Sequence, residues 1–102
     1  MPKLVLTTLS NSAQAAKFAR GLIDEKLAAC VSLIKIEASH YNWKGAPEKS
    51  AEVQLVIKTA HKKIPALEKF FKKHHPYELP EFLVLHASAG GAYGAWLRQS
   101  IK

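Results

Sequence analysis

Two runs of sequence decide the fold. They are Val31-Ser32-Leu33-Ile34-Lys35-Ile36-Glu37-Ala38-Ser39-His40-Tyr41-Asn42-Trp43 and Ala51-Glu52-Val53-Gln54-Leu55-Val56-Ile57-Lys58-Thr59. In the second, side chains of an extended chain alternate between faces, so Val53, Leu55, Ile57 and Thr59 share one face and Glu52, Gln54 and Lys58 the other. The first is rich in β-formers. Gly45-Ala46-Pro47 lies between the runs and carries turn chemistry, which predicts an antiparallel hairpin. The first run changes apolar phase: Ile34, Ile36 and Ala38 hold even positions, Tyr41 and Trp43 odd ones. Either a β-bulge or a distal half facing a different surface accounts for this. Thirteen extended residues span roughly 43 Å at about 3.3 Å each, against a radius of gyration of about 13 Å for a compact chain of this size. The tip, with Tyr41 and Trp43, therefore projects beyond its own core, and a projecting aromatic ribbon needs cover from a neighbouring subunit.

Working outward, Lys3 to Leu9 is aliphatic and β-branched without polar alternation, the pattern of a strand buried on both faces. Ser10-Asn11-Ser12 offers N-cap side chains to a helix from Ser12 to Ala28. In that helix Ala15, Phe18, Ala19, Leu22, Ile23 and Leu27 form one apolar face. A second helix carries the stripe Ile64, Leu67, Phe70, Phe71 and His74, accepts Pro65 in its first turn, and stops before Pro76. Phe82 to His86 reads as a short buried strand. Gly90-Gly91 turns into a last helix with Tyr93, Trp96, Leu97 and Ile101. The order β-α-β-β-α-β plus a terminal helix predicts an α+β, ferredoxin-like split βαβ arrangement.

The chain has 102 residues, enough for one domain over 1–102. Its one Cys excludes an intramolecular disulfide framework and a zinc ribbon, and suits a reducing compartment. No apolar run approaches the roughly 18 residues of a membrane span, and the stretch after Met1 is too short for a signal-peptide core. The expectation is a soluble cytoplasmic protein without a membrane partner. The net charge of +7 invites a nucleic-acid reading. However, Lys62, Lys63, Lys69, Lys72 and Lys73 lie off the apolar stripe, and only Arg20 and Arg98 supply the guanidinium fork that reads phosphates and guanine edges. The basic residues read as a solubilising surface, with no nucleic acid bound.

Several blocks resemble the CutA family of divalent-cation tolerance proteins. They are Asp24-Glu25-Lys26-Leu27-Ala28-Ala29-Cys30-Val31, Tyr41-Asn42-Trp43-Lys44-Gly45, Glu52-Val53-Gln54 with Ile57-Lys58-Thr59, His74-His75-Pro76-Tyr77-Glu78-Leu79-Pro80-Glu81, and Trp96-Leu97. The likeness runs from Val5 to Ile101. It implies a ferredoxin-like protomer in a tight homotrimer with long hairpins exchanged between neighbours, tolerance to copper and other divalent ions, and an architecture similar to the trimeric PII signalling proteins. It also points to His74 and His75 as Cu(II) ligands, with a Cys near the end of the first strand; here that position is Thr7.

Imidazole is a common ligand for Cu(II) and Zn(II), so His74 and His75 are the metal candidates. Thr7 cannot supply a copper-selective thiolate. The bland alternative has His74 completing the apolar stripe and His75 capping the helix C-terminus. Cys30, between Ala29 and Val31, reads as packing. Glu52 and Lys58, with Trp43 and Tyr77, are candidates for a polar cleft between subunits, where a PII-like regulator would bind a small molecule or protein partner. There is no Ser-His-Asp pattern, Walker loop or G-x-G-x-x-G, no organic cofactor is implied, and the chain does not read as an enzyme. The reading is a divalent-cation tolerance protein with weak metal binding.

Overall fold

A computed structural model describes residues 1–102. The elements run β1 (Pro2–Leu9), α1 (Ser12–Asp24), β2 (Cys30–Trp43), β3 (Ala46–Ala60), a 3-10 turn at His61–Lys63, α2 (Ile64–His74), β4 (Leu83–His86) and α3 (Gly91–Ser100). The four strands form one antiparallel sheet in the order β2-β3-β1-β4. The α+β split βαβ order expected from sequence is therefore present, with the terminal helix added.

One sheet face carries α1 and α2. Val5, Thr7 and Leu9 of β1 and Val53, Leu55, Ile57 and Thr59 of β3 are buried there. Phe18 and Leu22 of α1 and Leu67, Phe70 and Phe71 of α2 are buried against them. Each fully buried Leu or Ile side chain contributes about 1.5–3 kcal/mol by leaving water. Phe18 sits edge-on to both Phe70 and Phe71 at 5.1 Å between centroids. Gly21 makes that approach possible, because a Cβ there would lie 2.8 Å from Phe70 Cζ.

Some boundaries differ from the sequence reading, each for a local reason. The first helix stops at Asp24, short of Ala28. Lys26 takes φ 56°, its N–H donates to the Ile23 carbonyl, and the Leu27 N–H donates to the Leu22 carbonyl. This pair of bonds is a Schellman ending, which folds Leu27 back onto the core without continuing the helix. The hairpin turn is Lys44-Gly45 (φ 51° and 83°), between the paired Trp43 and Ala46. Two left-handed residues give the tight turn that matches strand twist. Ala46 and Pro47 thus belong to β3. Pro47 opposes Asn42 one pair beyond the turn, a non-hydrogen-bonded position where its missing N–H faces away from β2.

The phase change in β2 is a bulge. Pairing shifts between Ile36↔Glu52 and Ser39↔Ser50, so Glu37 and Ala38 oppose Ala51 alone. The inserted residue returns Ser39, Tyr41 and Trp43 to the same sheet face as Ile34 and Ile36. The hairpin gives the molecule its 45 Å long axis, against 25 and 22 Å for the others.

The expectation that β1 is buried on both faces is corrected. Its burial alternates, with Leu4, Leu6 and Thr8 only half-buried. Pairing places Leu85 beside Leu4, and Leu83 and Val56 beside Leu6. No helix lies over these residues. β4 is likewise exposed, contrary to a buried strand, because it is the sheet edge: Leu83 is 53% and Leu85 43% exposed. Leu97 of α3 and Ile101, the residue after it, pack on Ala60, whereas Tyr93 and Trp96 of α3 stay half-exposed against each other.

Candidate functional site

The open sheet face ends, toward the hairpin tip, in a cleft of about 870 Å³. Four segments make it, the first being Thr8 and Ser10 at the end of β1. β2 supplies Ile36 and, beyond the bulge, Ser39, Tyr41 and Trp43; β3 supplies Ser50, Glu52 and Gln54; and Tyr77 to Glu81 closes the other side. The bulge is what allows Tyr41 and Trp43 to line the same wall as Ile36.

Tyr77 ties the walls together. Its hydroxyl donates to Glu52 Oε2 at 2.8 Å and accepts from Ser10 Oγ at 3.2 Å. Burial, and the Glu52 charge it faces, push the Tyr77 phenol up. Glu81 Oε1 is shielded from solvent and has no hydrogen-bond partner. Burial raises the Glu81 carboxyl, and the negative charge of Glu52 raises it further. On the tip, Tyr41 and Ser50 share a hydroxyl bond of 3.1 Å, and the Lys44 ammonium stands 5.8 Å from the Trp43 ring centroid.

The two histidines have separate fates. His74 is exposed, its ring against Phe70 at 4.5 Å. His75, the residue after α2, is buried among Phe18, Phe71 and Tyr77. The Tyr77 N–H can only donate, so His75 Nδ1, at 3.2 Å, accepts. The proton is then on Nε2, which donates to the Thr8 carbonyl at 3.0 Å and lies 3.1 Å from Thr7 Oγ1. Burial lowers the His75 pKa and keeps the ring neutral, outweighing the Thr8 bond and the Glu52 charge. Both ring nitrogens are engaged. Of the alternative reading, His75 does take the C-cap position of α2 and His74 does lie against Phe70 of the stripe, but the chain leaves the helical path at His75 (φ −75°, ψ 127°), which leaves His74 exposed and turns the His75 ring inward as a buried neutral group.

Of the four cleft candidates, Trp43, Glu52 and Tyr77 come together and Lys58 does not. Lys58 shares the Glu52 face but lies six residues along β3, about 20 Å away, opposite Cys30 and Leu4. Cys30 is a half-buried free thiol. The Lys3 ammonium, buried at the far end of β1, contacts His86 Nδ1. Nowhere do three His, Cys, Asp or Glu side chains converge as a cation-binding group. Glu81 was not among the sequence candidates. Its one signal is a carboxylate held between Pro80 and Phe82, at the mouth of an apolar strand.

Known proteins resemble this chain in sequence and shape. The family model described as CutA1 divalent ion tolerance protein matches residues 3–100. A divalent-cation tolerance protein CutA of Escherichia coli O139:H28 is 41% identical over 100 residues, covering 97% of this chain and 89% of that one. CutA from Synechococcus elongatus PCC7942 superposes with a TM-score of 0.93 at 40% identity, covering 99% of this chain and 90% of the other. The protein from Archaeoglobus fulgidus, described as a periplasmic divalent cation tolerance protein CutA, does so with a TM-score of 0.94 at 25% identity over the whole of both chains. No helix here is long and apolar enough to cross a membrane. A match over nearly the full length places this chain in the CutA1 family of divalent ion tolerance proteins.

Proposed function

We propose that the protein acts in tolerance to copper and other divalent cations as a homotrimer that binds the ion weakly and does no chemistry on it. The observation that carries the assembly is the uncovered apolar sheet face of Leu4, Leu6, Leu83, Leu85 and Ile34. Single protomers rarely leave such a patch to water, and a second and third copy are its natural cover. For the ion, His74 is the accessible imidazole of the pair, and three copies bring three of them. His75 joins only by surrendering the Tyr77 N–H or moving its Nε2 proton. One accessible imidazole from the His74–His75 pair per chain, with Thr7 in place of a thiolate, accords with weak binding. A cytoplasmic location belongs to the same reading, since a single half-buried thiol suits a reducing compartment.

Calorimetric titration of Cu(II) into the assembled protein tests the assignment. Wild type should bind in the micromolar range or weaker, and His74→Ala should abolish the heat while His75→Ala reduces it. Binding unchanged in His74→Ala would remove the imidazole from the account.

A second reading is favoured by the cleft itself. Small-molecule sites commonly occupy roughly 300–1,000 Å³ with a few convergent polar groups. The Tyr41, Trp43, Glu52, Tyr77 and Glu81 cleft fits that description, as a PII-like regulator would require.

A further inference from the structure

The cleft has a charge opposite to that of the chain. The protein carries +7, yet Glu52, Glu78 and Glu81 line the cleft, and neither Lys nor Arg does. His40 is the other titratable group there apart from the tyrosines. Three aromatic rings, Tyr41, Trp43 and Tyr77, complete the wall. We infer that this cleft takes an organic ammonium cation that carries N–H groups, a primary or secondary amine, rather than an anionic metabolite or nucleotide. The inference rests on reading the cleft as a ligand site.

Four observations carry it. The aromatic rings are suited to an ammonium, because a ring face attracts a cation within about 6 Å of its centroid. The Lys44 ammonium, outside the cleft lining, stands 5.8 Å from the Trp43 ring centroid, so that ring already takes part in such a contact. Glu81 Oε1 is a desolvated acceptor without a donor, which an N–H of the ligand would supply. Glu52 is held in place by the Tyr77 hydroxyl, leaving Oε1 as the acceptor outside that bond. A hard divalent metal fits less well, since Ca²⁺ takes six to eight oxygens and Mg²⁺ a tight octahedron. A nucleotide would bring its phosphates to three carboxylates. The raised Glu81 pKa agrees with a carboxylate lacking its counter-ion.

The test uses the full-length protein in its assembled state with Trp96→Phe, so that Trp43 is the one emitting tryptophan. Spermidine and putrescine are titrated as cations, AMP and citrate as anions. Both cations should change Trp43 emission saturably, and the anions should not. Glu81→Gln should weaken spermidine by about tenfold or more, the loss of one charged hydrogen bond. Glu52→Gln is the second variant, and far-UV ellipticity confirms that both fold. A response to AMP without one to the amines would overturn the charge assignment and leave the cleft as a ligand site. Silence to all four probes would overturn both. Trp43 that acrylamide cannot quench would mean that a second copy fills the cleft, which also overturns the inference.

Discussion

His75 joins the core to the cleft. One ring nitrogen accepts from the Tyr77 backbone and the other donates to Thr8, so a neutral imidazole fixes the start of the segment that carries Tyr77 and Glu81. Protonation would put a second N–H against the Tyr77 N–H and a charge among Phe18 and Phe71. Because burial depresses the folded-state pKa below the ordinary 6.5, the unfolded chain binds the proton first as pH falls. The stabilisation is complete above about pH 6.5 and is lost progressively below it, levelling off once the folded-state pKa is passed. Thermal unfolding from pH 8 to 5 at fixed protein concentration should show this decline, and His75→Gln should flatten it. A wild-type midpoint unchanged from pH 7 to 5 would contradict the neutral buried ring. Sequence alone found His75 through its neighbour His74 and Pro76, but could not say which ring turns inward. That depends on the one backbone step at which α2 ends, a choice made by Pro76 together with the space beside Phe18.

At the scale of elements, periodicity revealed what tertiary contacts then trimmed. The alternation of Val53, Leu55 and Ile57 identified β3 and its buried face, and the odd–even shift at Tyr41 identified an irregularity. What the shift accomplishes, keeping Tyr41 and Trp43 on the Ile34 face, requires knowing the partner strand's register. Likewise the apolar spacing of α1 runs on through Leu27, so nothing in the pattern announces the Schellman turn at Lys26, a non-glycine in the left-handed region. Gly21 shows the same dependence. In an isolated helix, Ala there would gain roughly 1 kcal/mol of propensity. Here the Cβ would meet the Phe70 ring, itself held between Phe18 and His74. Gly21→Ala should therefore destabilise by about 1–2 kcal/mol net, read from the urea midpoint at constant slope. A stabilised variant would show that Phe70 is free to move aside.

For the whole molecule, the decisive fact is a sheet with a helical layer on one side and an uncovered apolar surface on the other. Length and composition foresaw one small core and a hairpin too long for it. They missed the open face, because the polar residues of β1, Lys3, Thr7 and Thr8, fall on both phases and show no alternation, so the strand looks buried on both sides. That pattern is explained if the second side is covered by other copies of the chain. Leu85→Asp, at an exposed position beside Leu4, should then leave each protomer folded while splitting the assembly, seen as native-like ellipticity with a smaller hydrodynamic radius. An unchanged radius would place the interface elsewhere. The claim on which ion and hairpin both depend is assembly into a trimer, and sedimentation equilibrium at micromolar concentration measures it directly. The account predicts a single species of three times the 11.3 kDa chain mass. A stable monomer at 11.3 kDa would contradict it.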